Sequence, residues 1–181
     1  MWKMLNNPGN VYWITGLSGS GKTIIGRELC KTLKNLKPNV VFLDGDIVRE
    51  ILGDSHGYFI EDRRKLAMIY SRLCKTLSEQ GIDVVCSVMS LFKEVHKFNR
   101  ENIKNYFEIF IECDMEELIK RDQKGLYSKA IRGEINDVVG VNLTFDKPQN
   151  CDLIIDNTDR DCLEEKVERI IKLKSRRIES E

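Results

Sequence analysis

The sequence predicts an α/β fold in three layers: a mostly parallel five-stranded sheet, helices on both of its faces, and a lid segment. Three observations predict it. Short runs rich in β-branched and aromatic residues alternate with longer runs whose apolar residues recur at helical spacing. A glycine-rich turn follows the first of these short runs and opens a helix-like stretch. No internal repeat or low-complexity block breaks the 181 residues, and three prolines leave little room for a linker, so a single domain over 1–181 is expected.

Taken in order, the candidate strands are Val11–Thr15, Val40–Leu43, Asp83–Val88, Tyr106–Ile111 and Asp152–Ile155. The candidate helices between and after them are Lys22–Leu36, Ile47–Leu52, Ile60–Gln80, Lys93–Lys104, Met115–Arg121 and a C-terminal helix beginning near Asp161. Gly81 supplies a stop signal and Asp114 a start signal. The last helix ends near 175–178, with Ser175–Glu181 expected to fray. A lid is expected over about 121–145. Right-handed crossovers between parallel strands bring the loops at their carboxyl ends together, so residues just after each strand carry the chemistry.

The loop after the first strand is Gly16-Leu17-Ser18-Gly19-Ser20-Gly21-Lys22-Thr23, a full G-x-x-x-x-G-K-S/T. This is a phosphate-binding loop, and it makes the expected fold one of P-loop NTPase type. Its glycines allow the tight turn, and its backbone N–H groups, with the helix N-terminus behind them, suit phosphate oxygens. Gly16, Ser18, Gly19, Ser20 and Gly21 are therefore candidate ATP-binding residues. Lys22 is expected to reach the β- and γ-phosphates, and Thr23 to ligate Mg²⁺. The second strand ends in Leu43-Asp44-Gly45-Asp46, with Arg49 three residues on. Beside Mg-ATP, one carboxylate can orient an acceptor hydroxyl and help hold the metal, and Arg49 can grip an anionic group on the acceptor. The pattern is that of a small-molecule kinase, with Asp44, Lys22 and Asp46 as catalytic candidates and Thr23 and Asp44 as metal candidates.

Bulk properties exclude several other classes. Lys plus Arg and Asp plus Glu number 29 each, so no global field draws the chain to a nucleic-acid polymer or an anionic membrane. Met1–Asn10 lacks the apolar run of a signal peptide or membrane span, which fits a cytoplasmic protein. Six dispersed cysteines without a C-x-x-C pair read as reduced core thiols rather than a zinc site. A homodimer is compatible with the apolar content, which does not separate a dimer face from a core.

The chain also resembles the adenylyl-sulfate kinase family from about Gly9 to Ile155. GNVYWITGLSGSGKT is similar to the family's opening, LDGDIVR to its acceptor-site strand end, and GYFIEDRR to its Gly-Phe-Ser-x-x-Asp-Arg segment. Arg121-Asp122-Gln123-Lys124-Gly125-Leu126-Tyr127, with Lys129-Ala130 and Gly133-Glu134-Ile135, resembles its RDxKGLYxKAxxGEI lid signature. The resemblance implies transfer of the γ-phosphate of ATP to the ribose 3′-hydroxyl of a 5′-nucleotide bearing a second acidic group. It implies that Asp44 orients or deprotonates that hydroxyl. Arg49 and Arg63 would bind the acceptor's anionic groups, with Ser90 beside its nucleotide and Lys124, Gly125 and Leu126 closing over it. Arg121 and the Asn157-Thr158-Asp159 turn are implied on the ATP side, Thr158 as a candidate for the adenine pocket.

Departures from the family pattern cluster at the acceptor base. Where the family sandwiches adenine between two phenylalanines, this chain has Tyr58 and Val138; its DRxxN asparagine is Leu66; and its Ser-Pro-Tyr-Arg reads Ser90-Leu91-Phe92-Lys93. Stacking of a base on an aromatic ring is worth about 1–3 kcal/mol, so an aliphatic residue at 138 weakens adenine binding unless Tyr58 or Phe92 compensates. Two acceptors follow. The motif count favours adenylyl sulfate, giving 3′-phosphoadenylyl sulfate for sulfate assimilation. The departures favour the smaller pyrimidine of cytidine diphosphoramidate, on the way to capsule phosphoramidate, and the balance tips to this reading. A non-catalytic nucleotide sensor would not need the acceptor cluster, and a sugar kinase would lack the lid signature.

Overall fold

The computed structural model describes residues 7–53, 59–122 and 125–178, with the side chains of 176–178 left aside. Its five strands are β1 (Val11–Thr15), β2 (Val40–Asp44), β3 (Asp83–Ser87), β4 (Tyr106–Glu112) and β5 (Leu153–Asp156). They lie in the order β2-β3-β1-β4-β5, and every paired neighbour runs parallel. The order places β1 at the centre, where the chain direction of the crossovers reverses and a crevice opens at the carboxyl ends. All five residues of β1 are buried, as a central strand covered on both faces requires.

Alternation along the strands divides the core. Tyr12, Ile14, Val85, Phe107, Ile109 and Ile155 pack beneath α1 (Lys22–Leu36) and the C-terminal helix Leu163–Ile178, meeting Ile25, Leu29, Val167 and Ile170. Val11, Trp13, Val84, Cys86 and Tyr106 face the other way. There they meet α2 (Gly45–Leu52), α3 (Ile60–Glu79) and α4 (Lys93–Asn102) through Val48, Leu66, Tyr70, Cys74 and Val95. Period two in the strands and helical period in the covering segments therefore yield the three expected layers.

The differences from the sequence reading are local. Helix α2 begins at Gly45 rather than Ile47 because Asp44 caps it, its Oδ1 accepting from the Asp46 N–H at 3.0 Å. Asp114 stands at the N-cap of α5 (Met115–Arg121) but makes no side-chain cap bond. Within the expected lid a further helix forms, α6 (Leu126–Ile131), whose first turn is held by Asp122: its Oδ1 accepts from the N–H groups of Tyr127 and Ser128 at 2.9 and 3.1 Å. The last helix, α7 (Leu163–Ile178), starts two residues late, after Arg160 and Cys162 at φ +55° and +47°, and its backbone continues through the stretch expected to fray up to Ile178. A third apolar cluster of Leu17, Leu91, Phe110, Leu118, Tyr127, Ala130 and Val138 packs α5, α6 and the loop after them against the end of β4 and the phosphate loop.

Candidate active site

The turn from β1 into α1 is forced by its surroundings. Gly16 has φ +151° and a Cβ there would stand 2.4 Å from the Ile111 carbonyl oxygen, while a Cβ on Gly21, at φ +101°, would stand 2.2 Å from Asn157 Nδ2. Between them, four successive carbonyls are each held by a side chain. Leu17 O accepts from Lys22 Nζ at 2.6 Å, Ser18 O from the Tyr127 hydroxyl at 2.8 Å, Gly19 O from Arg121 Nη1 at 3.1 Å, and Ser20 O from Asn157 Nδ2 at 2.7 Å. Tying the carbonyls fixes the loop in a turn suited to an anion, and the Ser20 N–H is bonded back to Leu17 O at 3.2 Å within it. The amide of Asn157 is itself oriented, because the buried Lys166 of α7 donates to its Oδ1 at 2.8 Å and also to Asp161 at 3.1 Å.

Burial depresses the Lys22 ammonium to about 8, with Asp44 and Asp46 opposing the fall. The Thr23 hydroxyl donates to Asp44 Oδ2 at 2.8 Å, so Asp44, buried at the end of β2, joins the loop to α2 through its two oxygens. Hydroxyl and carboxylate oxygens are the hard donors that Mg²⁺ prefers, and they stand together beside the lysine.

Two cavities flank this centre. One of about 380 Å³ is lined by Gly19, Gly21, Lys22, Thr23, Arg121, Asn157, Arg160 and Asp161. Arg121 also donates to the carbonyls of Asn157 (2.8 Å) and Thr158 and pairs with Glu117 at 3.0 Å. Thr158 does not line that cavity; its hydroxyl bonds Asp156 at 2.7 Å and accepts from the Asp114 N–H at 3.3 Å, shaping the turn. The second cavity, about 250 Å³, lies on the opposite side of the loop and gathers Ser18, Asp46, Arg49, Arg63, Leu66, Ser90, Leu126, Asp137 and Val138. The Tyr70 hydroxyl, pushed up to about 12 by burial, closes its floor by donating to the Gly45 carbonyl at 2.9 Å. Thr15 Oγ1 holds the Ser90 backbone through its O and N at 2.9 and 3.3 Å, leaving the buried Ser90 hydroxyl without a partner among the described residues.

Against known proteins, the adenylylsulphate kinase family model matches residues 8–156. The chain belongs to the adenylylsulphate kinase family. The cytidine diphosphoramidate kinase of Campylobacter jejuni is 52% identical, over 93% of this chain and 98% of that one. The adenylyl-sulfate kinase of Halothermothrix orenii is 38% identical, over 93% and 90% respectively. Among solved structures, the Mycobacterium tuberculosis APS kinase CysC in complex with AMPPNP and APS superposes with a TM-score of 0.82 at 29% identity, covering 93% of this chain and 99% of that one. This kinase is accordingly an ATP-dependent phosphotransferase with an alcohol group as acceptor and a small nucleotide as substrate. No helix among the described residues is long and apolar enough to cross a membrane.

The kinase thus brings Lys22, Thr23, Asp44 and Asp46 to one centre, Arg121 to one cavity, and Arg49, Arg63, Leu66, Ser90, Leu126 and Val138 to the other. Gly125 stands at φ +63° before α6. Tyr58 and Lys124 lie outside the described residues. Sequence reasoning missed Tyr127, Asn157 as a brace, Lys166 and Asp137. Tyr127 lay within the lid signature and the other three in turn or helix positions with no local pattern to single them out.

Proposed function

We propose that the chain works as one kinase unit with its lid over 121–145, and that it transfers the γ-phosphate of ATP to the ribose 3′-hydroxyl of cytidine diphosphoramidate in the cytoplasm. One observation carries the choice of acceptor: Leu66 and Val138, 2% and 3% exposed, form aliphatic wall in the cavity that also holds Arg49, Arg63 and Ser90. A wall without an aromatic face at 138 suits a pyrimidine better than an adenine that needs stacking on both sides. The extensive identity to a cytidine diphosphoramidate kinase supports the same reading.

The remaining residues take roles that follow from their places. The phosphate loop and Lys22 bind the donor phosphates, with Arg121 and the Asn157–Thr158 turn on the side of the adenine. Thr23 and Asp44 would hold Mg²⁺, which when bound neutralises charge on the transferring phosphoryl group. Asp44 orients the acceptor hydroxyl, and Asp46 shares that end of the cavity. Because such transfers are largely dissociative, holding the hydroxyl in line matters more than removing its proton early. Arg49 and Arg63 grip the acceptor's two acidic groups, Ser90 contacts its nucleotide, and the lid, with Lys124, Gly125 and Leu126, excludes water from the transfer.

The second reading, adenylyl sulfate as acceptor, is favoured by the lid signature and by the adenylyl-sulfate kinases among the relatives. ADP release from Mg-ATP, with the two nucleotides offered in parallel, separates the two. Turnover of the cytidine compound with little on adenylyl sulfate is expected; the reverse order would overturn the proposal.

A further inference from the structure

The acceptor cavity contains a charge that the reaction does not explain. Among the described residues its charged lining is two of each sign, Arg49 and Arg63 against Asp46 and Asp137. Each carboxylate repels the anion that the arginines attract, so a carboxylate in a pocket for a nucleotide with two acidic groups calls for a role of its own. Asp46 has a place in the transfer, two residues from Asp44, which accepts from its N–H. Asp137 has none. It lies in the loop after α6, next to Val138, where the base is expected.

Two further observations bear on Asp137. Its backbone sits at φ +63°, in the left-handed region that most residues other than glycine avoid, so a half-buried carboxylate is presented from a conformation that glycine would occupy more readily. Asp137 and Arg63 line the same cavity, and the Arg63 guanidinium, lowered by burial, is raised by Asp137 and lowered by Arg49, so both charges lie near it. A carboxylate is an acceptor of hydrogen bonds only, and in a pocket for an anion it gains most from an N–H donor on the ligand.

We infer that Asp137 is a specificity-determining residue that accepts a hydrogen bond from an amino group of the acceptor nucleotide. The inference rests on the acceptor cavity assigned under the proposed function. Two amino groups meet the description, that of the cytosine ring and that of the phosphoramidate; a carbonyl oxygen in place of the first, or an ionised phosphate oxygen in place of the second, would leave the carboxylate facing another acceptor. Ion-assisted hydrogen bonds of this kind discriminate by about ten-fold or more when the donor is lost.

The test compares kcat/KM of the intact protein and Asp137→Asn, by ADP release, on three acceptors. They are cytidine diphosphoramidate, uridine diphosphoramidate, which has a carbonyl in place of the base amine, and cytidine diphosphate, which lacks the phosphoramidate amine. Asparagine adopts the same left-handed backbone, and Asp137→Gly serves as the second variant should Asn fail to fold. The unaltered protein is expected to prefer cytidine diphosphoramidate over at least one partner compound by about ten-fold or more, and Asp137→Asn to lose that preference. The compound against which it is lost identifies the amino group. An equal fall on all three acceptors would mean that Asp137 only supports Arg63, and no change on any would mean that it reads nothing; both overturn the inference. If the unaltered protein phosphorylates only adenylyl sulfate, the proposed acceptor fails instead. The same ratio, taken with adenylyl sulfate and its hypoxanthine counterpart, then decides the role of Asp137, retained preference in Asp137→Asn again overturning it.

Discussion

The two cavities on either side of the phosphate loop are built on different principles. On the proposed donor side the frame is the loop backbone, held through its carbonyls by Tyr127, Arg121 and Asn157, with Lys22 and Thr23 at its end. On the acceptor side the wall is made of side chains themselves, from α2, α3 and the lid's return: Arg49, Arg63, Leu66, Asp137 and Val138. Backbone recognition tolerates sequence change and fixes a common donor. Side-chain recognition can be rewritten one residue at a time, which is where this chain departs from its family's pattern.

Breaking the donor side at its centre has the largest expected effect. Lys22→Ala removes the cation proposed to meet the donor phosphates, and turnover is expected to fall below detection in the ADP-release assay. Asp44→Asn is expected next: ATP binding by calorimetry stays largely intact while transfer drops by about 10²-fold or more, the scale of a lost positioning contact. Equal loss of ATP affinity in both variants would contradict the division of labour. On the acceptor side, Val138→Phe with Leu66→Asn restores the family's stacking face and asparagine, and should shift kcat/KM toward adenylyl sulfate by about ten-fold or more. A shift of that kind without change in KM for ATP would sharpen the contrast between the cavities.

Two smaller effects probe the donor side alone. With its ammonium depressed to about 8 before phosphate binds, Lys22 is charged below that pH and neutral above it. Donor phosphates favour the charged form, so ATP affinity should be greatest below pH 8 and decline as pH rises through it, with proton uptake on binding in the alkaline range; calorimetry in buffers of different ionisation enthalpy checks this. Tyr127 is fully buried, so Tyr127→Phe touches no nucleotide and deletes only the hydroxyl that holds Ser18 O. One net hydrogen bond is worth about 1 kcal/mol, and a rise of several-fold in KM for ATP with kcat little changed is expected.

How much of this was legible in the sequence follows from range. The phosphate loop is eight consecutive residues, the strand-end acids adjoin their strand, and the strand and helix periodicities are local, so the layers and the grouping of the loop with the strand-end acids could be read directly. The braces could not. Tyr127 and Asn157 meet the loop across 109 and 137 positions, and no periodicity links a lid tyrosine or a turn asparagine to a carbonyl so far away. Asp137 escaped for another reason: an aspartate in a polar loop is ordinarily solvated, and only the cavity shows it among arginines. Thr158 was legible as part of the right turn but not as a shaper of it, since its hydroxyl satisfies Asp156 and Asp114.

Lys166 gives the C-terminal helix a standing that its peripheral position hides. Its ammonium holds Asn157, and Asn157 holds the loop at Ser20. A chain ending at Asp161 would keep every strand and every group that meets phosphate, yet would leave that amide free to turn and its loop slack. Shortening from the far end of α7 should cost packing as soon as it removes Leu173 and Ile170, which are buried in the core, and nucleotide affinity once it reaches Lys166. The root of α7 thereby supports the phosphate loop, through Lys166 and Asn157.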